Sequence, residues 1–308
     1  MVTATVNPNF GAALAAAAAA TAGQQHPGGA LYVVATPIGN LADVSLRALH
    51  ILSQADTLAC EDTRHSRALL RAWGIERAGA SFLSVHEHNE AEAAAEVIER
   101  LRAGQRVAYV SDAGTPGISD PGARLAAAVR AAGLRVVPLP GASSVTAALS
   151  AAGVASDGAF VFLGFLPPKA GERTAALQAL AAEPRTVVLL EAPHRMLALA
   201  QGLQALGCRL VTIARELTKQ FEDIVTLPAQ QVSDWLAADA HRVRGEFVVV
   251  LHPAPHAADE GLTEPLRVLR LLLAELPLKT AVRLAADITG ASRNALYERA
   301  LAEKAAKD

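Results

Sequence analysis

The sequence predicts an α/β protein: two α/β units in succession, followed by a C-terminal helical extension with a helix-turn-helix outline. Three observations predict it. From Ala30 onward, short apolar runs alternate with helical stretches, the pattern of strands buried between helices. Polar loops rich in glycine and proline recur directly after those runs, where α/β sheets carry their ligand sites. Beyond Pro253 the chain changes to helical segments alone.

In the first unit, residues 30–140, strands are expected at Leu31–Ala35, Thr57–Cys60, Val107–Val110 and Arg135–Pro138, with helices at Asp43–Ser53, Glu90–Ala103 and Ala123–Ala132. The strands are continuously apolar, so their sheet is covered on both faces and its pairing is parallel. Pro140-Gly141-Ala142-Ser143-Ser144 opens the second unit, residues 141–253, with serines placed to cap a bridging helix at Val145–Ala151. Its strands are expected at Phe160–Gly164, Thr186–Leu190, Arg209–Ala214 and Glu246–His252, and its helices at Thr174–Ala182, Arg195–Leu206 and Ala229–Ala238. A Pro, Ala and His-rich linker over residues 254–261 separates it from the extension, residues 262–308. There, helices at Glu264–Glu275, Leu278–Ile288 and Arg293–Lys304 are expected, the last two joined by the turn Thr289-Gly290-Ala291-Ser292. Such a pair places Arg293, Tyr297 and Arg299 on a reading helix. An ordinary helical hairpin packed on the main body fits the same residues.

Composition limits the classes. A chain of 308 residues with 52% hydrophobic and 19% charged residues is globular and large enough for two cores. The formal net charge of -2 gives no global basic signature, so any nucleic-acid contact has to come from local patches. Cys60 and Cys208 lie far apart without CxxC spacing, which points to a reduced cytosolic protein with neither a disulfide frame nor a structural zinc site. Ala12–Ala20 is nearly pure Ala and Leu, but no Lys or Arg precedes it and it is too short to span a bilayer. Residues 1–29 are therefore expected to be a disordered or weakly helical tail.

The longest strand-to-helix loop is the most informative. Ser111 to Gly122 is about twice the usual 2–6 residues of such a connection. Gly114, Gly117 and Gly122 permit close backbone approach, Pro116 and Pro121 stiffen the chain, and Asp112 and Asp120 add acceptors. The run suits a cationic or hydroxyl-bearing ligand; an elaborate turn with capping aspartates is the alternative. Thr36-Pro37-Ile38-Gly39-Asn40-Leu41 follows the first strand with one glycine, which weakens dinucleotide and P-loop readings. Glu61-Asp62-Thr63-Arg64-His65 follows the second strand, and His86-Glu87-His88-Asn89 a further apolar run; the HxH pair lacks a clear third metal ligand. In the second unit, Glu191-Ala192-Pro193-His194-Arg195 and Arg215-Glu216-Leu217-Thr218-Lys219 mix acids and bases, either as internal ion pairs or as a charged wall of the same cleft.

These runs, with Asp120-Pro121-Gly122, Pro140-Gly141, Gly164-Phe165-Leu166-Pro167 and Gly245-Glu246, occur in one order from about Leu31 to the final helix. In that order the chain resembles the RsmI family of ribosomal RNA small-subunit methyltransferases, members of the tetrapyrrole methylase superfamily. The resemblance implies two α/β domains with a cofactor cleft between them, a homodimer in the cytoplasm, and S-adenosylmethionine-dependent methylation of the ribose 2'-hydroxyl of a decoding-centre cytidine in 16S rRNA, without a metal. It implies cofactor contacts at Pro37, Gly39, Asp112, Ala113, Gly114, Ile118, Ser143 and Ser144.

Methyl transfer from a sulfonium is an in-line displacement, so positioning supplies most of the acceleration, and a nearby base takes the hydroxyl proton. Glu61, Asp62 and His86 are the candidate bases; Arg64, Arg195, Arg215 and Lys219 are the candidates for placing RNA, joined by Arg293, Tyr297 and Arg299 of the last helix. Deletion after Pro255 is expected to weaken RNA binding and spare cofactor binding. Two rivals remain: a methylase of the same fold acting on a small molecule such as a precorrin, and a non-enzymatic rRNA-binding assembly factor with a vestigial cofactor fold.

Overall fold

The computed structural model describes residues 10–86, 88–118, 120, 122–154, 158–254 and 263–305. Residues 1–9 of the expected tail, most of the expected linker, and Glu87, Ser119 and Pro121 lie outside the described residues.

The first sheet contains β1 (Ala30–Val34), β2 (Thr57–Cys60), β3 (Phe82–Ser84), β4 (Arg106–Val110) and β5 (Arg135–Leu139) in the order β3-β2-β4-β1-β5. All of its pairings are parallel, as its continuous apolar strands require. Helices α1 (Gly11–Thr21), α2 (Leu46–Gln54) and α3 (Thr63–Ala72) cover one face, where Leu49, Ile51, Leu52 and Leu70 meet Tyr32, Val34 and Leu58. Helices α4 (Glu90–Arg102) and α5 (Gly122–Ala131) cover the other through Val97, Leu101, Leu125 and Val129. The adjacent strands β1 and β4 thus send their chains to opposite faces. That reversal opens a crevice at their carboxyl ends, the place where open α/β sheets take ligands.

The second sheet has the order β6-β7-β10-β8-β9, from β6 (Phe160–Phe165), β7 (Thr186–Glu191), β8 (Leu210–Arg215), β9 (Asp223–Pro228) and β10 (Phe247–Leu251). It is mixed: β10 runs antiparallel to both its neighbours, and β9 antiparallel to β8. Helices α7 (Ala170–Leu180), α8 (Pro193–Leu203) and α9 (Val232–Ala237) pack on one face. Helix α6 (Ser144–Ala151) packs on the other, where Val145 and Ala148 meet Val188, Ala214, Val248 and Val250. Three further helices, Thr263–Leu273, Leu278–Thr289 and Arg293–Ala305, bury Leu269, Ala281, Val282, Ala285, Leu296 and Ala300 among themselves. This cluster draws on neither sheet, so among the described residues the extension has its own core rather than being a hairpin folded onto the body.

Two expectations need correction, and two elements are additional to those expected. Residues 11–21 of the tail are a packed helix: Ala17 and Thr21 are buried, and Thr21 Oγ1 donates to Ala17 O at 2.7 Å. Alanine is the best helix former, and its small side chain lets α1 lie close along α2. Helix α3 went unread because Thr63-Arg64-His65-Ser66-Arg67 is polar; only Ser66 and Leu70 of the helix are buried. The edge strand β9 went unread because it is only half-buried and begins in an acidic run. Neither Ser143 nor Ser144 caps α6 through its side chain; Ser143 is extended, at φ -149° and ψ 124°.

Candidate functional site

The loops after β1, β4 and β5 are tied to one another before any ligand is considered. Thr36 and Gly114 form an isolated antiparallel bridge, with Thr36 N to Gly114 O at 2.9 Å and Gly114 N to Thr36 O at 3.0 Å. Thr115 Oγ1 donates to Ala142 O at 2.9 Å. Gly114 sits at φ +80°, and a Cβ there would stand 3.2 Å from Ile38 Cγ2, so the two loops meet at backbone distance. Asp120 fastens the long loop from within. Its Oδ2 accepts from Gly117 N and its Oδ1 from Gly122 N, each at 2.8 Å, while the Tyr109 hydroxyl donates to Oδ1 at 3.0 Å. Burial, then the adjacent Asp120 charge, raises the Tyr109 phenol far above its ordinary pKa and keeps it a donor. The loop therefore contains the capped turn that the sequence offered as one of its two readings.

Two cavities flank this edge. The first, of about 210 Å³, is lined by Glu61, Asp112, Ala113, Gly114, Ile118, Asp120, Ser143 and Ser144, among others. The second, of about 360 Å³, lies against the second sheet and is mainly apolar, with Ile38, Phe165, Leu190, Leu217, Phe247 and Val248 in its walls. Ala113, Ser144 and Leu190 belong to both, so the cavities are two parts of one groove between the sheets. Six of the eight expected cofactor residues line its first part. Pro37 and Gly39 do not; the residue between them, Ile38, does. Gly39 instead receives the stem of Lys219, whose Cγ would lie 2.5 Å from a Cβ at that position.

The chemistry of the lining fits S-adenosylmethionine. Among the described residues no Lys or Arg lines either part, whereas carboxylates, hydroxyls and peptide groups surround the first, the setting for cationic groups. The apolar second part suits a flat heteroaromatic base.

The candidate bases separate in position. Glu61 is exposed and lines the groove. Asp62 is the N-cap of α3, accepting from the amides of Arg64 and His65, and its carboxylate holds the Arg64 guanidinium at 2.9 Å. The Arg64 bonds keep it well below the usual carboxylate range. His86 stands at the end of β3, the strand beside β2; its amide donates to Asn89 Oδ1 at 2.8 Å, and its ring centroid lies 6.0 Å from that of His88. Among the described residues, no group of three His, Cys, Asp or Glu converges as metal ligands would.

The charged runs of the second unit are mostly internal. Arg195 donates to Leu166 O, and its Nε sits 3.0 Å from the buried Glu191 carboxylate without a hydrogen bond's alignment. That cation fastens the Phe165-Leu166-Pro167 corner. Arg215, with 11% of its side chain exposed, is turned toward His241 O and Arg244 O at 3.4 Å and toward Asp223 at 4.0 Å, and it too is local. Lys219 bonds Glu216 at 2.8 Å and Glu246 at 3.1 Å. Burial works against its charge, but those bonds outweigh it and raise its pKa. Glu216 and Thr218 hold φ of 52° and 66°, so this loop is strained where it touches Gly39. Arg293, Tyr297 and Arg299 are exposed on the last helix, with Arg293 paired to Asp287 at 2.7 Å.

Ile38 and Phe165 lie inside runs the sequence singled out but were not assigned to the groove, and Leu190 and Phe247 went unmarked because apolar residues within strands carry no chemical signature. Only their places next to Gly39, Pro167 and Glu246 mark them.

Residues 30–233 match the family model of Tetrapyrrole (Corrin/Porphyrin) Methylases, and residues 259–304 match that of the RsmI C-terminal HTH domain. The chain is 51% identical over 277 residues to the Ribosomal RNA small subunit methyltransferase I of Pseudomonas aeruginosa, covering 89% of this chain and 97% of that one. It is 46% identical over 278 residues to the protein of the same name from Escherichia coli O157:H7, covering 90% and 96%. Among solved structures, cobalt precorrin-4 methyltransferase superposes with a TM-score of 0.53 at 20% identity over 73% of this chain and 95% of that one. Diphthine synthase does so with a TM-score of 0.55 at 14% identity, over 72% and 90%. Those structures share the fold, whereas the sequence relatives extend through the helical extension. The chain therefore belongs to the ribosomal RNA small subunit methyltransferase I family, on the tetrapyrrole methylase fold.

Proposed function

We propose that this protein transfers a methyl group from S-adenosylmethionine to the ribose 2'-hydroxyl of a decoding-centre cytidine in 16S rRNA, acting in the cytoplasm as a homodimer on the 30S subunit. The groove shared by the two sheets carries this reading: a cation-tolerant peptide edge on one side, an apolar pocket on the other, and Glu61 at its mouth. The bound cofactor supplies an electrophilic methyl on a sulfonium. The loop Ser111–Gly122 holds its polar part through Asp112, Ala113 and Gly114, with Ser143 and Ser144 opposite, and Ile38, Leu190 and Phe247 exclude water from the base. Pro37 and Gly39 act through the loop that carries Ile38.

Glu61 is the first choice for the hydroxyl proton because it lines the groove. His86 is second, and Asp62 is last, since its carboxylate is committed to α3 and Arg64. Lys219 holds the Gly39 loop, and the self-cored extension presents Arg293, Tyr297 and Arg299 to RNA. The exposed Leu163 and Phe165 on the edge strand β6 supply apolar surface for self-association.

Transfer of tritiated methyl to subunits lacking the modification, mapped to the nucleotide, tests the reading. Label on one ribose, lost in Glu61→Ala with cofactor affinity retained, is the expected result. Removal of the residues after Pro255 is expected to lower RNA affinity about tenfold at unchanged cofactor affinity. Cofactor binding without label on any rRNA would instead leave the precorrin-type alternative, and no cofactor binding the vestigial one.

A further inference from the structure

Helix α3 leaves the groove at Asp62 and carries Arg64, Arg67 and Arg71 at spacings of three and four residues, which sets them along one face about 5–6 Å apart. All three are exposed, and no Asp or Glu occurs between Thr63 and Ala72. In a chain of net charge -2 this is a local concentration of positive charge that begins three residues after Glu61 of the groove, with Arg64 held by Asp62 and Arg67 and Arg71 beyond it.

At its far end the stripe enters a concave site of about 290 Å³, lined by Arg67, Arg71, Arg77, Glu76, Phe82 and Leu70 among others. The side chains there are already posed. Arg77 is half-buried and donates to Leu52 O at 2.8 Å and to Ala55 O, which fixes its charge in the wall. Arg67 lies 4.6 Å over the Phe82 ring and donates to Gly79 O at 3.4 Å. The Arg71 guanidinium makes no hydrogen bond or ion pair among the described residues. A simply solvated face would need neither the concave wall nor the aromatic floor.

We propose that this face of α3 is a docking surface for the backbone of the substrate RNA: phosphates flanking the methylated nucleotide run from the groove mouth past Arg64 to Arg67 and Arg71. The inference rests on the methyl-transfer reading and adds the path of the strand. A guanidinium fork matches two phosphate oxygens, and an arginine stacked on an aromatic ring keeps its edge free to donate. Charge complementarity selects RNA as the occupant. Among the described residues lining the concave site, Glu76 is the one carboxylate against three arginines.

Salt-titrated binding and steady-state kinetics of Arg71→Gln with an rRNA fragment carrying the target cytidine test it, with Arg130→Gln on α5, across the sheet, as the control. For one lost phosphate contact the slope of log K against log salt falls by about 0.7 for a single strand. The RNA KM is expected to rise about fivefold while kcat at saturating RNA and cofactor affinity stay unchanged. Arg67→Gln is expected to do the same. A slope and KM equal to those of the wild type and of Arg130→Gln would overturn the inference. So would a defect seen only with assembled subunits and absent with the naked fragment, which would assign the face to a ribosomal protein. If the wild-type enzyme labels no rRNA, the methyl-transfer reading itself fails, which separates the two failures.

Discussion

Asp120 divides its work between the ligand edge and the core, and Asp120→Ala separates the two. One carboxylate oxygen holds Gly117 N at 2.8 Å; the other holds Gly122 N at 2.8 Å and the hydroxyl of the fully buried Tyr109 at 3.0 Å. Removing the carboxylate leaves the Tyr109 hydroxyl without an acceptor, a cost of about 1–3 kcal/mol to global stability. The bonds to Gly117 and Gly122 order the loop, and a hydrogen bond to a charged acceptor contributes about 1.5–3 kcal/mol. If binding must reorder the loop without one such bond, the cofactor dissociation constant rises about 10- to 100-fold. Calorimetric titration reads the second effect, and thermal melting the first. Adding Tyr109→Phe removes the orphaned hydroxyl, so the double variant recovers part of the melting temperature and none of the affinity. A dissociation constant within about twofold of wild type, or an affinity loss that disappears in the Tyr109→Phe background, would refute this division.

Gly39→Val places a side chain where Lys219 now lies, and Lys219 must leave Glu216 and Glu246 to make room; cofactor affinity is expected to drop about tenfold, less for Gly39→Ala, and wild-type titrations for both would show that the stem moves freely. Stability is expected to decline on acidification below pH 6.5, because burial lowers the pKa of His26, His50 and His252 below the 6.5 of the unfolded chain. Between the folded and unfolded values the unfolded state binds more protons, so melting temperature rises with pH there and levels off above 6.5. His252→Gln, which can keep the bond to Thr212 Oγ1 at 2.8 Å without titrating, is expected to flatten that slope; an equally steep profile would remove His252 from the explanation.

How much was legible in the sequence depends on what kind of signal each residue carries. Continuous apolar runs such as Leu58-Ala59-Cys60 and Val107–Val110 marked buried parallel strands, and the long loop between β4 and α5 marked one wall of the groove. Helix α3 hid because half of its residues are exposed and only Ser66 and Leu70 are buried, so the apolar stripe is short. The tail hid for the opposite reason: an alanine run has no polar side, and only a partner surface on α2 shows which face is buried. For Arg195 and Arg215, sequence gives the charge and not its intrachain partners. The fold supplies Leu166 O and Glu191 to one and Asp223 to the other.

The middle place of β10 in the second sheet sets an order of events during synthesis. The first sheet is complete once Leu139 has been made, but β7 and β8 have no common neighbour until Phe247–Leu251 arrives. A nascent chain can therefore close its first half while the second remains two separate strand pairs, β6 with β7 and β8 with β9, each with an open edge. Part of the groove wall comes from that late strand and its neighbours, through Leu190, Ala214, Phe247 and Val248, so a truncated translation product keeps the Ser111–Gly122 edge and lacks part of the surface that faces it. Synthesis of β10, rather than folding of the first domain, is then the moment at which the groove first exists.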